Sequence, residues 1–307
     1  MPAQLSKLAL VNTSALTETK TFSVIQEGAA EASRQVISIE ANTAIIENNR
    51  EIITSKIFNI TLTGLYDSST ATQLKTWVDN RTNLVFTGFS VDGRILQAEG
   101  ELSKVEGFED NLSFRFTSPR EAVGGYNSTT GEHTASMSYS KNGFSLYKWL
   151  GVGSPSRAAN WTAGGTTLTS TSTFNSGNEK QRLKNDAATS STATFTHKVY
   201  FPFPGKQLTA FVEVTDVTDF DPIPTMTITA EDSGGSALNT PAGTDASVNL
   251  TSAAVKLATL TLPANTHHVD IAFNIKGGSD IKIKQPSLQI TTGTPTASDR
   301  NFEEFNT

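Results

Sequence analysis

The sequence predicts a mainly β fold in two parts: an N-terminal β-sandwich with one flanking helix, then a C-terminal β-sandwich. Three observations carry the prediction. The last legible stretch, Val269 to Ile290, alternates apolar and polar residues across a Gly277-Gly278-Ser279-Asp280 turn, as a sheet with one buried and one wet face requires. Hydrophobic residues make up only 36% of the chain, and Thr, Ser, Asn and Gly supply the balance, a mixture that suits short strands better than helical bundles. Helical periodicity is convincing in one place alone, around Leu74, Trp77 and Val78.

In chain order, residues 5–66 read as strands with one long excursion over 27–50. Phe22–Ile25 is a short strand, Val36–Ile39 and Ala44–Ile46 can pair, and Glu51–Tyr66 is a long strand with Ile53, Ile57 or Phe58, Ile60 and Leu62 as inward positions. The change of phase at Ile57-Phe58 marks a bulge there. The helix follows, capped by Asp67, Ser68 or Ser69, ending near Asn80-Arg81 and packing on a sheet through Trp77. Leu84–Phe89 then runs into Asp92-Gly93, a strong hairpin signal between apolar runs. Arg94–Val105 alternates, Glu106–Asn111 turns, and Leu112–Thr117 closes the unit before Pro119.

This order of strands, one helix, a hairpin and a closing Leu-Ser-Phe-Arg-Phe-Thr-Ser-Pro strand resembles the tail-tube fold of long-tailed bacteriophages and related injection machines. The likeness covers residues 5–120 and is one of element pattern rather than signature motif. It implies a small sandwich whose protomers form hexameric rings stacked around a channel. The hairpin at Asp92 and Gly93 and the 27–50 excursion are then the candidate contacts between protomers.

The composition of Val123–Glu132 is that of a linker or surface loop. The expected organisation is an assembly domain over 1–125, a linker over 126–140 and a second sandwich over 141–307. From Trp161 onward the strands are Gly164–Ser170, Thr192–Val199, Leu208–Val214, Thr225–Ala230, Val255–Leu262 and the closing pair, with Phe174–Lys184 read as a turn-rich loop. This order, together with the closing Gln285-Pro286-Ser287-Leu288 strand and its Pro-Thr tail, resembles carbohydrate-binding-module-like jelly rolls carried by phage structural proteins. That resemblance implies an external decoration domain.

Net charge is −6 and the isoelectric point is near 5.3. Gripping a polyanion requires clustered Lys and Arg, so a DNA-binding surface is not expected, whereas an acidic lumen that lets DNA pass is compatible. The absence of cysteine excludes disulfides, thiolate metal sites and a Cys nucleophile. The N-terminus has no sustained apolar run of signal-peptide type, and no segment approaches the roughly 20 apolar residues of a membrane span.

Catalytic and cofactor motifs are missing: there is no HExxH, Walker loop, GxSxG or strand-anchored GxGxxG. The chain is expected not to be an enzyme and to need no cofactor. His267 and His268 are adjacent at a strand start, where neighbouring side chains face opposite ways, and read as a surface or half-buried pair rather than a metal site. Glu99 and Glu101 share a strand face as a solvated or subunit-facing acidic strip. Asp216, Asp219 and Asp221 offer oxygen ligands, but without the spacing and glycine of a dedicated Ca²⁺ loop they read as an acidic turn. Sugar stacking needs exposed rings, for which Trp149, Trp161 and Tyr200 are the candidates. In the resembled jelly rolls, a Trp at the position of Trp161 packs against the sandwich.

The expected function is assembly: a virion structural protein, foremost the major tail tube protein, made in the host cytoplasm and built into the tail. Its partners are copies of itself, other virion proteins, genomic DNA in transit and, through the second sandwich, host surface glycans. The alternatives are a distal-tail, baseplate or head-decoration protein, or a sugar-binding surface adhesin.

Overall fold

A computed structural model describes residues 5–23, 38–40, 44–47, 50–53, 55–63, 68–90, 95–106, 111–119, 126–127, 132–133, 144–145, 161–164, 168–173, 180–187, 191–218, 223–240 and 246–300. The chain divides into two compact units, Met1–Ala122 and Val123–Thr307. Each is mainly β, and every described strand pairing is antiparallel.

The first unit runs β1 (Leu5–Asn12), β2 (Thr19–Ser23), β3 (Ser38–Glu40), β4 (Ala44–Glu47), β5 (Arg50–Ile53), β6 (Ser55–Thr63), α1 (Ser68–Asp79), β7 (Leu84–Ser90), β8 (Ile95–Glu106) and β9 (Asn111–Pro119). Seven of these strands form one sheet in the order β2-β1-β7-β8-β9-β6-β3, and β4 and β5 form a separate ribbon.

The sheet folds over on itself, and β8 is the hinge. Its first half pairs with β7, from Phe89↔Ile95 to Leu84↔Gly100. Its second half pairs with β9, from Glu101↔Thr117 to Glu106↔Ser113, with a bulge between Leu102 and Lys104 that raises the local twist. Phe22 on β2 and Phe114 on β9 consequently meet, ring centroids 5.9 Å apart, although three strands separate them in the sheet order. Across a flat sheet four inter-strand steps of about 4.8 Å would hold them roughly 19 Å apart. One continuous sheet thus makes both layers of a sandwich.

Leu8, Ala9, Leu10 and Val11 on β1, and Leu84, Val85, Phe86, Thr87 and Phe89 on β7, are all buried. Consecutive burial means that both faces of these strands are covered. Phe22 pairs with Leu8, and Leu10 with Phe86, so that row lies on the face reached by Phe114. The helix packs against β8, with Leu74 and Trp77 buried. Trp77 is anchored at its polar end, where Nε1 donates to Glu18 Oε2 (3.2 Å), an oxygen that also accepts from Asn12 Nδ2 (2.9 Å). These donors pull the Glu18 carboxyl below its ordinary range, Asn12 more than Trp77. The helix stops in a Schellman turn: Thr82 N–H donates to Trp77 O and Arg81 N–H to Val78 O, with Arg81 left-handed at φ 49° where glycine is usual.

One expectation fails here. The strand around Ile57-Phe58 carries no bulge against β9, because β6 and β9 pair without interruption from Ser55↔Pro119 to Thr63↔Asn111. In that register Phe58, Ile60 and Leu62 pair with Phe116, Phe114 and Leu112.

In the second unit, short β10 (Tyr126–Asn127) and β11 (Glu132–His133) pair with each other. The sandwich has one sheet ordered β14 (Leu168–Thr173), β15 (Lys180–Asn185), β22 (Asp280–Thr291), β17 (Gln207–Thr218) and β20 (Ala254–Thr261), with β12 (Phe144–Ser145) beside β22. The other is ordered β13 (Trp161–Gly164), β16 (Thr192–Tyr200), β21 (His268–Lys276), β18 (Thr225–Glu231) and β19 (Ser247–Asn249).

Its core follows from period-two burial. Ala193, Phe195 and Val199 on β16, Met226 and Ile228 on β18, and Val269, Ile271, Phe273 and Ile275 on β21 are buried. The opposite sheet contributes Leu208, Val212, Ile281, Ile283 and Leu288. The Gly277-Gly278 turn between the closing strands needs a left-handed residue, and Gly278 supplies it at φ 82°. Pro286 lies inside β22 where the register against β17 slips, and on the other side β15 and β12 pair only with residues 280–283 and 287–288. A residue with no N–H fits such a gap.

The stretch expected as a loop, Phe174 to Lys184, contains a strand instead. β15 is paired on both sides and its Leu183 is buried. Arg182 forks onto Asp280, donating from Nε to both carboxylate oxygens (2.9 and 3.1 Å), and its Nη2 also meets Oδ2.

Candidate functional site

Two regions hold the groups that assembly or binding can use. In the first unit, the outermost strands of the seven-stranded sheet, β2 and β3, have no further strand beside them among the described residues. The β4–β5 ribbon pairs with no other described strand. In its register Ile45 pairs with Ile52 and Ala44 with Ile53.

The candidate contact residues fall nearby. Asp92 and Gly93 lie outside the described residues, in the connection between the paired β7 and β8. Glu99 and Glu101 straddle the hinge of β8: Glu99 pairs with Val85, and half-buried Glu101 with Thr117.

The second region is a polar cluster on the outward row of the β13-β16-β21-β18-β19 sheet. Register builds it. His268 and Asp270 are two apart on β21, Glu231 of β18 stands opposite His268, and Lys198 of β16 stands opposite Asp270. Lys198 Nζ lies 2.9 Å from His268 Nε2, 3.5 Å from Glu231 Oε2 and 4.0 Å from Asp270 Oδ1. His268 Nε2 is 2.6 Å from Glu231 Oε2. The imidazole is fully buried, hemmed in by His267, whose Nδ1 faces its own Nδ1 at 3.2 Å, and by Tyr200 at a ring separation of 6.0 Å.

Burial raises the Asp270 carboxyl above its ordinary value despite the nearby Lys198 charge. Asp232 next to the cluster is lowered, mainly by the backbone N–H of Ser236.

The histidine pair thus differs from expectation: both rings are buried, at 5% and 0% exposure. His267 precedes β21, so strand alternation does not separate the two rings. The partners of His268 sit two residues further along and across the ladder, and the signal in the sequence was His-x-Asp on one strand face.

The remaining candidates are placed as follows. Asp216 is engaged across the ladder by Lys282 Nζ (2.6 Å), and Asp219 and Asp221 lie outside the described residues. Trp161 on β13 pairs with His197 of β16. Tyr200 is half-buried, its ring edge-on to His267 at 6.1 Å. Trp149 lies outside the described residues.

No family model matches the chain, and no curated protein matches it. Solved structures do. The enzymatically active domain of tailspike protein 4 from bacteriophage CBA120 aligns at 18% identity and a TM-score of 0.35, over 43% of this chain and 20% of the tailspike chain. The chain therefore spans about a fifth of that relative's length. The CBM22-1 xylan-binding domain of Paenibacillus barcinonensis Xyn10C aligns at 9% identity and a TM-score of 0.30, over 44% of this chain and 88% of the module. The mannan-recognising carbohydrate-binding module TmCBM27 aligns at 13% identity and a TM-score of 0.30, over 45% of this chain and 93% of the module. Identities and TM-scores this low assign no ligand and no role to this chain.

Proposed function

We propose that the chain is a virion structural protein, the major tail tube protein of a phage or phage-like particle. Its first unit polymerises into stacked rings, hexameric in the tail-tube pattern, and its second unit decorates the outside. The observation that carries this reading is the β4–β5 ribbon. A two-stranded ribbon of four-residue strands is marginal alone in water, and this one, whose sequence is apolar at Ala44, Ile45, Ile46, Ile52 and Ile53, has no described strand beside it. A neighbouring copy is the partner that removes the mismatch. The open edges β2 and β3 supply the same logic at sheet level, because joining edges between protomers leaves none exposed in a closed ring.

The net charge of −6 suits a channel through which DNA moves without being held. In this reading the partners are copies of the chain, other virion proteins and DNA in transit, and catalysis plays no part.

The test is light-scattering mass with negative-stain imaging of the purified chain at low and high concentration. Rings or tubes with a central hole are expected. A monomer or compact trimer at every concentration overturns the tube reading and favours a decoration protein or adhesin, to be followed by glycan arrays.

A further inference from the structure

The cluster around His268 gathers three metal-type donors around a single ammonium. Lys198 has only donors, so at 2.9 Å it requires His268 Nε2 to present a lone pair. The same Nε2 is 2.6 Å from Glu231 Oε2, which as a carboxylate is also an acceptor. Two acceptors at contact distance are stable only with a shared proton or a cation beside them, and the ammonium supplies that cation from three sides. Asp270 Oδ1, buried and with no hydrogen-bond partner, completes the set. The nitrogen and the two carboxylate oxygens lie within 4.8 Å of one another.

We propose that Glu231, His268 and Asp270 form a binding site for a divalent transition metal, Zn²⁺ being the best match, which enters as the Lys198 side chain swings out to solvent. One imidazole nitrogen and two carboxylate oxygens, with a fourth position left to water, is a donor set that suits zinc. The second shell is in place: with Nε2 given to the metal, His268 holds its proton on Nδ1 and donates it to His267 Nδ1 at 3.2 Å. Lys198 can leave, since 39% of its side chain is already exposed. Metal bonds of about 2.0–2.1 Å in a tetrahedral arrangement set donor atoms roughly 3.3 Å apart, so Glu231 Oε2 retreats by about 0.7 Å from Nε2, now 2.6 Å away, while the wider separations in the set, none above 4.8 Å, close by about 1.5 Å at most. The bound ion would tie β18 to β21 at one end of the sheet and release a lysine to the outer surface.

The experiment is calorimetric titration of the full chain with zinc chloride alone, at pH 7.5 in a non-coordinating buffer, on wild type, His268→Gln and Lys198→Met. One Zn²⁺ per chain is expected for wild type, with binding lost in His268→Gln. Lys198→Met should bind at least about tenfold tighter, because no ammonium has to be displaced from the site. That gain of affinity also keeps the test decisive if His268→Gln fails to fold. Zinc binding that survives His268→Gln, or Lys198→Met binding no tighter than wild type, or no binding by either wild type or Lys198→Met, would overturn the proposal.

Discussion

Replacing Phe22 and Phe114 by leucine, singly and together, tests the folded-over sheet of the first unit. Both side chains are 3% exposed and their rings stand 5.9 Å apart at an interplanar angle of 43°. Each Phe→Leu change removes about 40 Å² of apolar surface, worth roughly 1 kcal/mol at 25 cal/mol per Å². A tilted ring pair adds about 0.5–1.5 kcal/mol beyond area, and either single substitution forfeits that amount. The double variant should therefore be less destabilised than the sum of the singles by about 0.5–1.5 kcal/mol. Denaturant unfolding read through Trp77, which is buried in the same unit, gives the three midpoints and slopes. Independent sites add within about 0.3–0.5 kcal/mol, so additivity inside that margin would mean that the rings do not touch and that β2 and β9 lie far apart.

Three further outcomes follow from the same structure. Arg81→Gly should stabilise the first unit by about 0.5–1 kcal/mol, since relieving the left-handed conformation outweighs the entropy glycine adds to the unfolded chain; an unchanged or lower denaturation midpoint would contradict this. Glu18 has a lowered folded-state pKa, so its stabilisation is present above the unfolded value of about 4.3 and fades as pH falls through the folded one. Glu18→Gln should accordingly lower the first unit's melting temperature at pH 7, with the gap to wild type closing on acidification; a gap that stays constant from pH 7 to pH 3 would refute the hydrogen-bonded carboxylate. Glu213→Gln should cost the second unit about 1–2 kcal/mol, because Glu213 faces both Lys284 (3.3 Å) and Arg300 (3.3 Å), whose side chain is only 9% exposed. Asp216→Asn, in a pair with Lys282 that is about 40% exposed on both sides, should cost less than about 0.5 kcal/mol, and equal losses in the two variants would argue against burial as the deciding factor.

The legible parts of the fold were those where local pattern and tertiary environment agree. β21 and β22 alternate because one face is core, and the helix shows its Leu74 and Trp77 spacing because a single stripe is buried. The Asp-Gly pair between apolar runs marked the β7–β8 connection. β15 was not legible: Lys-Gln-Arg-Leu-Lys-Asn has one apolar side chain, and it is a strand because β14 and β22 pair with it and Asp280 holds Arg182. The placement of β1 beside β7, the hinge in β8 and the bulge at Pro286 depend on partners distant in sequence. The His268 cluster was hidden for the same reason, since Glu231 and Lys198 join it only through register. Arg81 carries no sign of its left-handed turn, which the Schellman hydrogen bonds at the helix end hold in a residue type that does not favour it.

The central claim is that the first unit is built to be completed by its own copies through the β4–β5 ribbon. Sedimentation velocity of the full chain beside a variant in which residues 44–53 are replaced by a short Gly-Ser turn tests it most directly. The account predicts large, concentration-dependent ring or tube species for the full chain, and a folded monomer for the variant with the melting of its second unit unchanged. Identical sedimentation of the two proteins, whether both assemble or both stay monomeric, would contradict it.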